Sequence, residues 1–272
     1  MRKTIIFTTL FSTLGATPLM AAFDYLTVDP RGTAMSGAMT AISNNTYGIF
    51  CNPASTGKTS AGIAYTIPYG DSNISNVAGA VNLSLFPMDP MGHIAAGISR
   101  YDASGYKEET VALGYSRTIM PGLHTGVSVS RMTQKINGAN DDSATAINAG
   151  LQAGLSSALT FGISAMNLNS PTIGTANTKL PRTTLTGLSL KLPAGPMLTV
   201  NSLTDPDRSG RLLFAGEFRI LNSTHLIIGG ATNPSLFSAG AEVEMSMLKA
   251  SVGISHDTDL GTTSSFGVTF TL

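Results

Sequence analysis

The stretch Ser265-Phe266-Gly267-Val268-Thr269-Phe270-Thr271-Leu272 alternates without a break between large apolar side chains and small or polar ones. Successive side chains of a strand point to opposite faces, so Phe266, Val268, Phe270 and Leu272 form one face, and Ser265, Gly267, Thr269 and Thr271 the other. An apolar band backed by a small or polar face is the pattern of strands that cross a membrane as part of a closed barrel.

The same stripe recurs upstream. Val111, Leu113 and Tyr115 alternate with Ala112, Gly114 and Ser116, and Leu123, Thr125, Val127 and Val129 with His124, Gly126, Ser128 and Ser130. Leu159, Phe161, Ile163 and Ala165 stand against Thr160, Gly162 and Ser164; Leu248, Ala250, Val252 and Ile254 stand against Lys249, Ser251, Gly253 and Ser255. In all, about fourteen segments of roughly 8 to 11 residues read this way, the length a tilted strand needs to span a bilayer.

The links between segments alternate as well. Longer polar links are expected near Tyr69 to Asn76, Asp102 to Lys107, Thr133 to Ser143, Leu168 to Pro181, Ser202 to Gly210, Thr232 to Ser235 and His256 to Thr262. Tight turns separate them at Pro121-Gly122, Ser156-Ser157, Pro193 to Pro196, Asn222-Ser223 and Ser246. Short turns at one rim and longer loops at the other fit a barrel with both termini on the periplasmic side. A secreted β-sandwich is the competing architecture, but its outer face should carry Lys, Glu and Asn, where this chain has Gly, Ala, Ser and Thr.

Composition agrees. Charged residues make up 12% of the 272 residues, against about a quarter in ordinary soluble domains, and there are 29 glycines. The formal net charge is zero, so electrostatics nominate no nucleic-acid partner. The single cysteine, Cys51, excludes an internal disulfide and leaves pairing between chains or a tolerated thiol.

The first residues have a different character. Met-Arg-Lys, the apolar stretch Thr4 to Leu14, Pro18 and the small pair Ala21-Ala22 make a signal peptide over 1–22, with a mature start at Phe23. Beyond it no run approaches the roughly 20 apolar residues of a spanning helix. Phe23 to Thr59 does not alternate. Arg31 to Ala41 is small-residue rich and predicts a short helix; Asn44 to Ala54 reads as a tight polar loop. Residues 23–59 therefore read as a hatch or plug inside a barrel formed by 60–272, because a lumen lined by such small side chains would otherwise hold water.

Met35-Ser36-Gly37-Ala38, Asn44-Asn45 and Asn52-Pro53-Ala54 resemble the N-terminal hatch of FadL-like outer-membrane proteins, closest to the PorV/PorQ branch. Gly216-Glu217-Phe218, Gly229 to Pro234 and Asp259-Leu260-Gly261-Thr262 look like the family's closing hairpins. The resemblance covers the first 30 or so residues after the signal peptide and about the last 60, and the middle matches in pattern only. Cys51 stands where the family usually has an aromatic, Ser55-Thr56 replaces a Gly-Leu-like pair, and Leu272 takes the place of the common Phe. The resemblance implies an all-β, up-and-down antiparallel transmembrane barrel of about 14 strands with an N-terminal plug, placed in the outer membrane of a Gram-negative cell envelope. Its C-terminal strand, Phe266 to Leu272, would engage the barrel-assembly machinery.

Catalytic signatures are weak. Asn52 to Thr59 misses a phosphate-binding loop, since Asn52 replaces the required first Gly and no strand precedes it. His93, His124, His225 and His256 lie in separate segments without ligand spacing, and the loop acids Asp141, Asp142, Asp257 and Asp259 read as solvated carboxylates rather than a calcium site. No metal, cofactor or enzyme activity is expected. More informative are the charges that share a face with Gly and Ser: Glu217, Arg219, Glu242, Glu244 and Lys249. On the lipid face each would cost roughly 2 to 4 kcal/mol, so they belong in the lumen, pairing with each other and with the hatch, for instance through Asn44 or Asn45. Three function classes follow: transport of small hydrophobic compounds, a PorV-like role in receiving secreted proteins, and a general diffusion pore. Partners would be outer-membrane lipids and hydrophobic small molecules or secreted proteins.

Overall fold

Ser60 pairs with Thr271, Ile63 with Val268 and Tyr65 with Phe266, and this antiparallel register between the first and last wall strands closes the sheet on itself. The computed structural model describes residues 22–23, 27–85, 92–193, 195–206 and 208–272. The signal-peptide reading, 1–22, lies outside the described residues except for Ala22.

The wall strands are β1 (Ser60–Ile67), β2 (Ser75–Ser84), β3 (His93–Ala103), β4 (Tyr106–Met120), β5 (Leu123–Ile136), β6 (Asp142–Gly154) and β7 (Leu159–Ala165). After a small hairpin of β8 (Thr172–Ile173) and β9 (Thr178–Lys179), the wall continues with β10 (Thr184–Lys191), β11 (Met197–Asp205), β12 (Arg208–Leu221), β13 (Thr224–Ala231), β14 (Leu236–Met245), β15 (Leu248–Asp257) and β16 (Gly261–Thr271). Fourteen strands form one closed barrel in chain order, each antiparallel to its neighbours, with the β8–β9 hairpin as a separate sheet. Closure leaves no strand edge unpaired, the condition for a sheet in hydrocarbon. No helix among the described residues is long and apolar enough to cross a membrane.

The alternation maps onto the wall as read. Val111, Leu113, Tyr115, Val127 and Val129 are exposed outside, while Ala112, Ser116, Ser128 and Ser130 are buried inside. Several expected links are shorter than read: β11 and β12 take up 202–205 and 208–210, and β15 and β16 take up 256–257 and 261–262. Residues 102–107 are mostly strand, with β3 and β4 joined only through 104–105, and much of 133–143 extends β5 and β6. The apolar stripe reports contact with lipid, whereas the hydrogen-bonded ladder continues past it. There the paired positions are polar: Lys107 faces Lys135, and Arg100 and Lys107 both reach Asp102, at 3.5 and 3.0 Å.

Candidate functional site

The lumen is filled from below by residues 29–58. The segment opens with a single helical turn, α1 (Pro30–Ala34), capped by Asp29, whose carboxylate accepts the Gly32 N–H at 3.1 Å. Pro30 suits the first helical position because its missing N–H would be unpaired there anyway. The helix is shorter than the Arg31-to-Ala41 reading: Ser36 (φ 52°) and Gly37 (φ 82°) turn left-handed, and the Gly37 N–H returns to the Gly32 carbonyl at 2.9 Å. Met35, Ala38, Met39 and Ile42 then pack on inward Leu185, Leu213 and Ile227.

Two 3-10 turns follow, Gly48–Phe50 and Pro53–Ser55. Asn52, fully buried, caps the second through its Oδ1 and sends its Nδ2 to the Thr40 carbonyl at 2.8 Å, so one amide ties the two halves of the segment together. Asn45 is buried too; its Oδ1 accepts the Tyr47 N–H at 3.0 Å and its Nδ2 donates to the Cys51 Sγ at 3.5 Å. Asn44 is left-handed and exposed. Pro53 is buried at the start of its turn. Cys51 lies inside the barrel and is free, with burial pushing its thiol up to about 12, which excludes pairing between chains in the folded state. The near-miss phosphate loop thus begins as an interior turn in which the Asn52, Ala54 and Ser55 N–H groups are all engaged.

The inward wall residues are small and polar for a reason beyond lining a lumen. An irregular segment carries unpaired carbonyls, and buried ones need donors. Gln152 Nε2 serves Thr40 and Ile42 (2.9 and 3.2 Å), the Ser164 hydroxyl serves Cys51 (2.6 Å), and the Ser238 hydroxyl serves Ala34 (2.6 Å). Two glycines allow the backbone itself to touch the wall. A Cβ at Gly253 would overlap the Pro30 carbonyl, and one at Gly162, across the barrel, the Thr40 carbonyl.

Of the charges chosen from sequence, the structure gathers four. Glu217, Glu242, Glu244 and Lys249 lie at the lower end of β12, β14 and β15 around Arg31 of α1. Arg31 Nη2 sits 2.5 Å from Glu217 Oε2 and Arg31 Nη1 3.8 Å from Glu242 Oε1; Lys249 Nζ bridges Glu242 at 3.3 Å and Glu244 at 3.6 Å. His225 Nδ1 meets the other Glu217 oxygen at 2.8 Å. The partner of the wall acids is therefore Arg31, not Asn44 or Asn45. Arg219 stands apart: it is exposed beside the irregularity between Arg219 and Leu221 and has no ion-pair partner among the described residues. Sequence reasoning missed Arg31 and His225. The signal for Arg31 was present, since it is the one cation between Phe23 and Gly57. Nearby Asp29 has its carboxyl raised to about 6, because burial outweighs the Gly32 hydrogen bond and the Arg31 charge.

The closing strand places Phe266, Val268, Phe270 and Leu272 outward, and the Leu272 N–H donates to the Thr59 carbonyl at 2.9 Å. Among the described residues no His, Cys, Asp and Glu cluster could hold a metal; Asp257 instead accepts the Asp259 and Leu260 N–H groups within its own loop. Above the segment lies a cavity of about 130 Å³ lined by apolar Phe23, Val28, Ile49, Phe50, Met132 and Met166 and by polar Asn76, Ser99, Tyr101, Glu108, Thr110 and Asn148.

No protein-family model and no curated protein matches the chain. Solved structures do. The CymD monoaromatic hydrocarbon channel superposes with a TM-score of 0.65 at 11% identity, covering 90% of this chain and 97% of CymD. The P. putida toluene transporter TodX gives 0.65 at 11% identity over 89% and 96% of the two chains, and a Pseudomonas aeruginosa FadL homologue 0.62 at 11% over 92% and 100%. The chain has a FadL-type barrel fold. At this identity the likeness is one of fold, and it spans nearly the whole of each neighbour.

Proposed function

We propose that the protein is an outer-membrane barrel that takes up small hydrophobic compounds, with residues 29–58 acting as its hatch. The observation that carries this reading is the division of the lumen: a hydrogen-bonded segment below and, above it, a cavity in which Val28, Ile49, Phe50, Met132 and Met166 share the lining with polar side chains. A general pore would need an open lumen. A cavity of about 150 Å³ accommodates benzene, so about 130 Å³ sets the solute at roughly one ring, and the Asn and Ser side chains in the lining allow it a polar substituent. The fold neighbours described as hydrocarbon and toluene transporters support the same class. Outward Phe266, Val268, Phe270 and Leu272 serve as the segment read by the assembly machinery and then face lipid.

Equilibrium dialysis of the purified barrel against toluene and p-cresol tests the proposal. One saturable site is expected, lost in Ser99→Phe, which fills the cavity. Absence of saturable binding, or full binding by the filled variant, would overturn it. The PorV-like reading draws on Asn44-Asn45 and Asn52-Pro53-Ala54 and on the brevity of several upper links, such as 104–105. Capture of a secretion component by a barrel that binds neither solute would put that reading first.

A further inference from the structure

Phe23 lies in the upper lumen, where it borders the same cavity as Ile49 and Phe50 of the hatch. Its side chain is 9% exposed and packs on Met132, Ala144, Ala146, Ile173 and Leu180. Its backbone nitrogen sits 2.9 Å from Glu108 Oε1, near the top of β4. That carboxylate is held in place: the Tyr106 hydroxyl donates to the same oxygen at 2.5 Å, and Gln134 Nε2 donates to Tyr106 at 2.9 Å. Glu108 shares the inward face of β4 with Tyr106 and Thr110, so its charge belongs to the interior, where an ionised carboxylate is costly unless matched.

We propose that Phe23 is the first residue of the mature protein and that Glu108 is the binding site for its α-ammonium group. Hydrolysis of the Ala22–Phe23 bond by a signal peptidase consumes one water, leaves a carboxylate on Ala22, and converts the Phe23 amide nitrogen into a cationic amine. The small residues Ala21-Ala22 after the apolar Thr4 to Leu14 stretch supply the cleavage site. An amide offers Glu108 one neutral N–H; the ammonium offers a full charge at the same position, and a charge-assisted hydrogen bond is roughly twice as strong as a neutral one. Processing thus places a positive charge at the atom that already lies 2.9 Å from Glu108. The apolar cluster holds the Phe23 ring and fixes the register, so a start one residue earlier would carry the charge past the carboxylate.

The intact mass of the protein purified from outer membranes should correspond to a chain beginning at Phe23. Its α-amine should react with an amine-selective acylating reagent at neutral pH at least tenfold more slowly in the folded barrel than after boiling in detergent. Glu108→Gln, which keeps the shape and an acceptor but removes the charge, should raise the folded-state rate toward the boiled one, while Lys135→Gln, also near the top of the wall, leaves it unchanged. A mature start at any other residue overturns the proposal, as do equal rates in folded wild type and folded Glu108→Gln. If Glu108→Gln does not reach the folded gel position, equal rates in folded and boiled wild type overturn it alone.

Discussion

The Arg31 guanidinium, carried by the segment inside the barrel, lies 2.5 Å from the Glu217 carboxylate on the wall, and this pair joins α1 to β12. Both groups are mostly shielded from water, so neither can lose its partner without leaving a poorly solvated charge. Arg31→Gln should leave Glu217 with the His225 contact and Glu242 with Lys249. Cleavage of the hatch by protease in detergent should rise severalfold in Arg31→Gln and in Glu217→Gln, and the double variant should fall short of the sum by about 1 to 3 kcal/mol of coupling. Unchanged protease sensitivity in Glu217→Gln would remove this pair from the docking of the hatch.

Backbone contact at Gly162 and Gly253 leads to a second expectation. Gly162→Val places a branched side chain where the Thr40 carbonyl lies. Since neither backbone can yield within a closed sheet, the hatch moves or the barrel fails to assemble. The fraction of protein showing heat-modifiable gel mobility should drop sharply, and the survivors should be cut between 29 and 58. Gly210→Val on β12, where a Cβ would meet only ordinary van der Waals contacts, tests whether valine alone does harm and should assemble normally.

Acidity should tighten α1. With its carboxyl raised to about 6 in the docked state from an ordinary 3.8, Asp29 binds a proton more readily docked than released. Docking therefore gains as pH falls through 6 and is strongest below about 3.8; the gain is lost as pH rises through 6, with an upper bound of about 3 kcal/mol. Protection of the Thr33 to Gly37 amides from deuterium exchange should rise between pH 7 and 5 relative to Asp29→Asn at each pH, since Asn keeps the cap but cannot titrate.

Charges distinguish the two faces of β5 in an unexpected way. Val129→Arg exposes a cation to lipid, at roughly 2 to 4 kcal/mol near the midplane. Ser128 points inward, yet it is buried and holds Asn148 Nδ2 at 3.1 Å, so Ser128→Arg should also abolish assembly, by overpacking. Thr110→Lys, which borders the upper cavity, should be tolerated. Yields of heat-modifiable protein for the three variants give the answer.

A lumen crossed by the hydrogen-bonded segment 29–58 should conduct little. In planar bilayers the purified protein should show no steady open-channel steps, whereas deletion of 29–58, if it assembles, should produce them. Large steady steps from the intact protein would sink the hatch proposal.

The wall was legible in the sequence because period-2 alternation has one physical meaning once the opposite face carries Gly and Ser instead of charge. Val127 and Ser128 differ in environment simply because they are adjacent, and no tertiary knowledge is needed to place them on opposite faces. Closure followed from an apolar face too extensive to leave in water. The segment that fails to alternate, 23–59, was equally visible by contrast. Where the stripe stopped, as at 102–107, the reading failed, because hydrogen bonding between strands leaves no mark on polarity.

Only the tertiary structure decided what the interior residues do for one another. Parity put Glu217 and Arg219 on one face, but Arg219 is exposed toward the end of β12, and the acid is matched instead by Arg31, 186 residues away in the chain. Nor does alternation distinguish a serine facing water from Ser164, which donates to the Cys51 carbonyl. Local pattern fixes which way a side chain points; which atom it meets depends on long-range closure that brings the two ends of the chain together around the hatch.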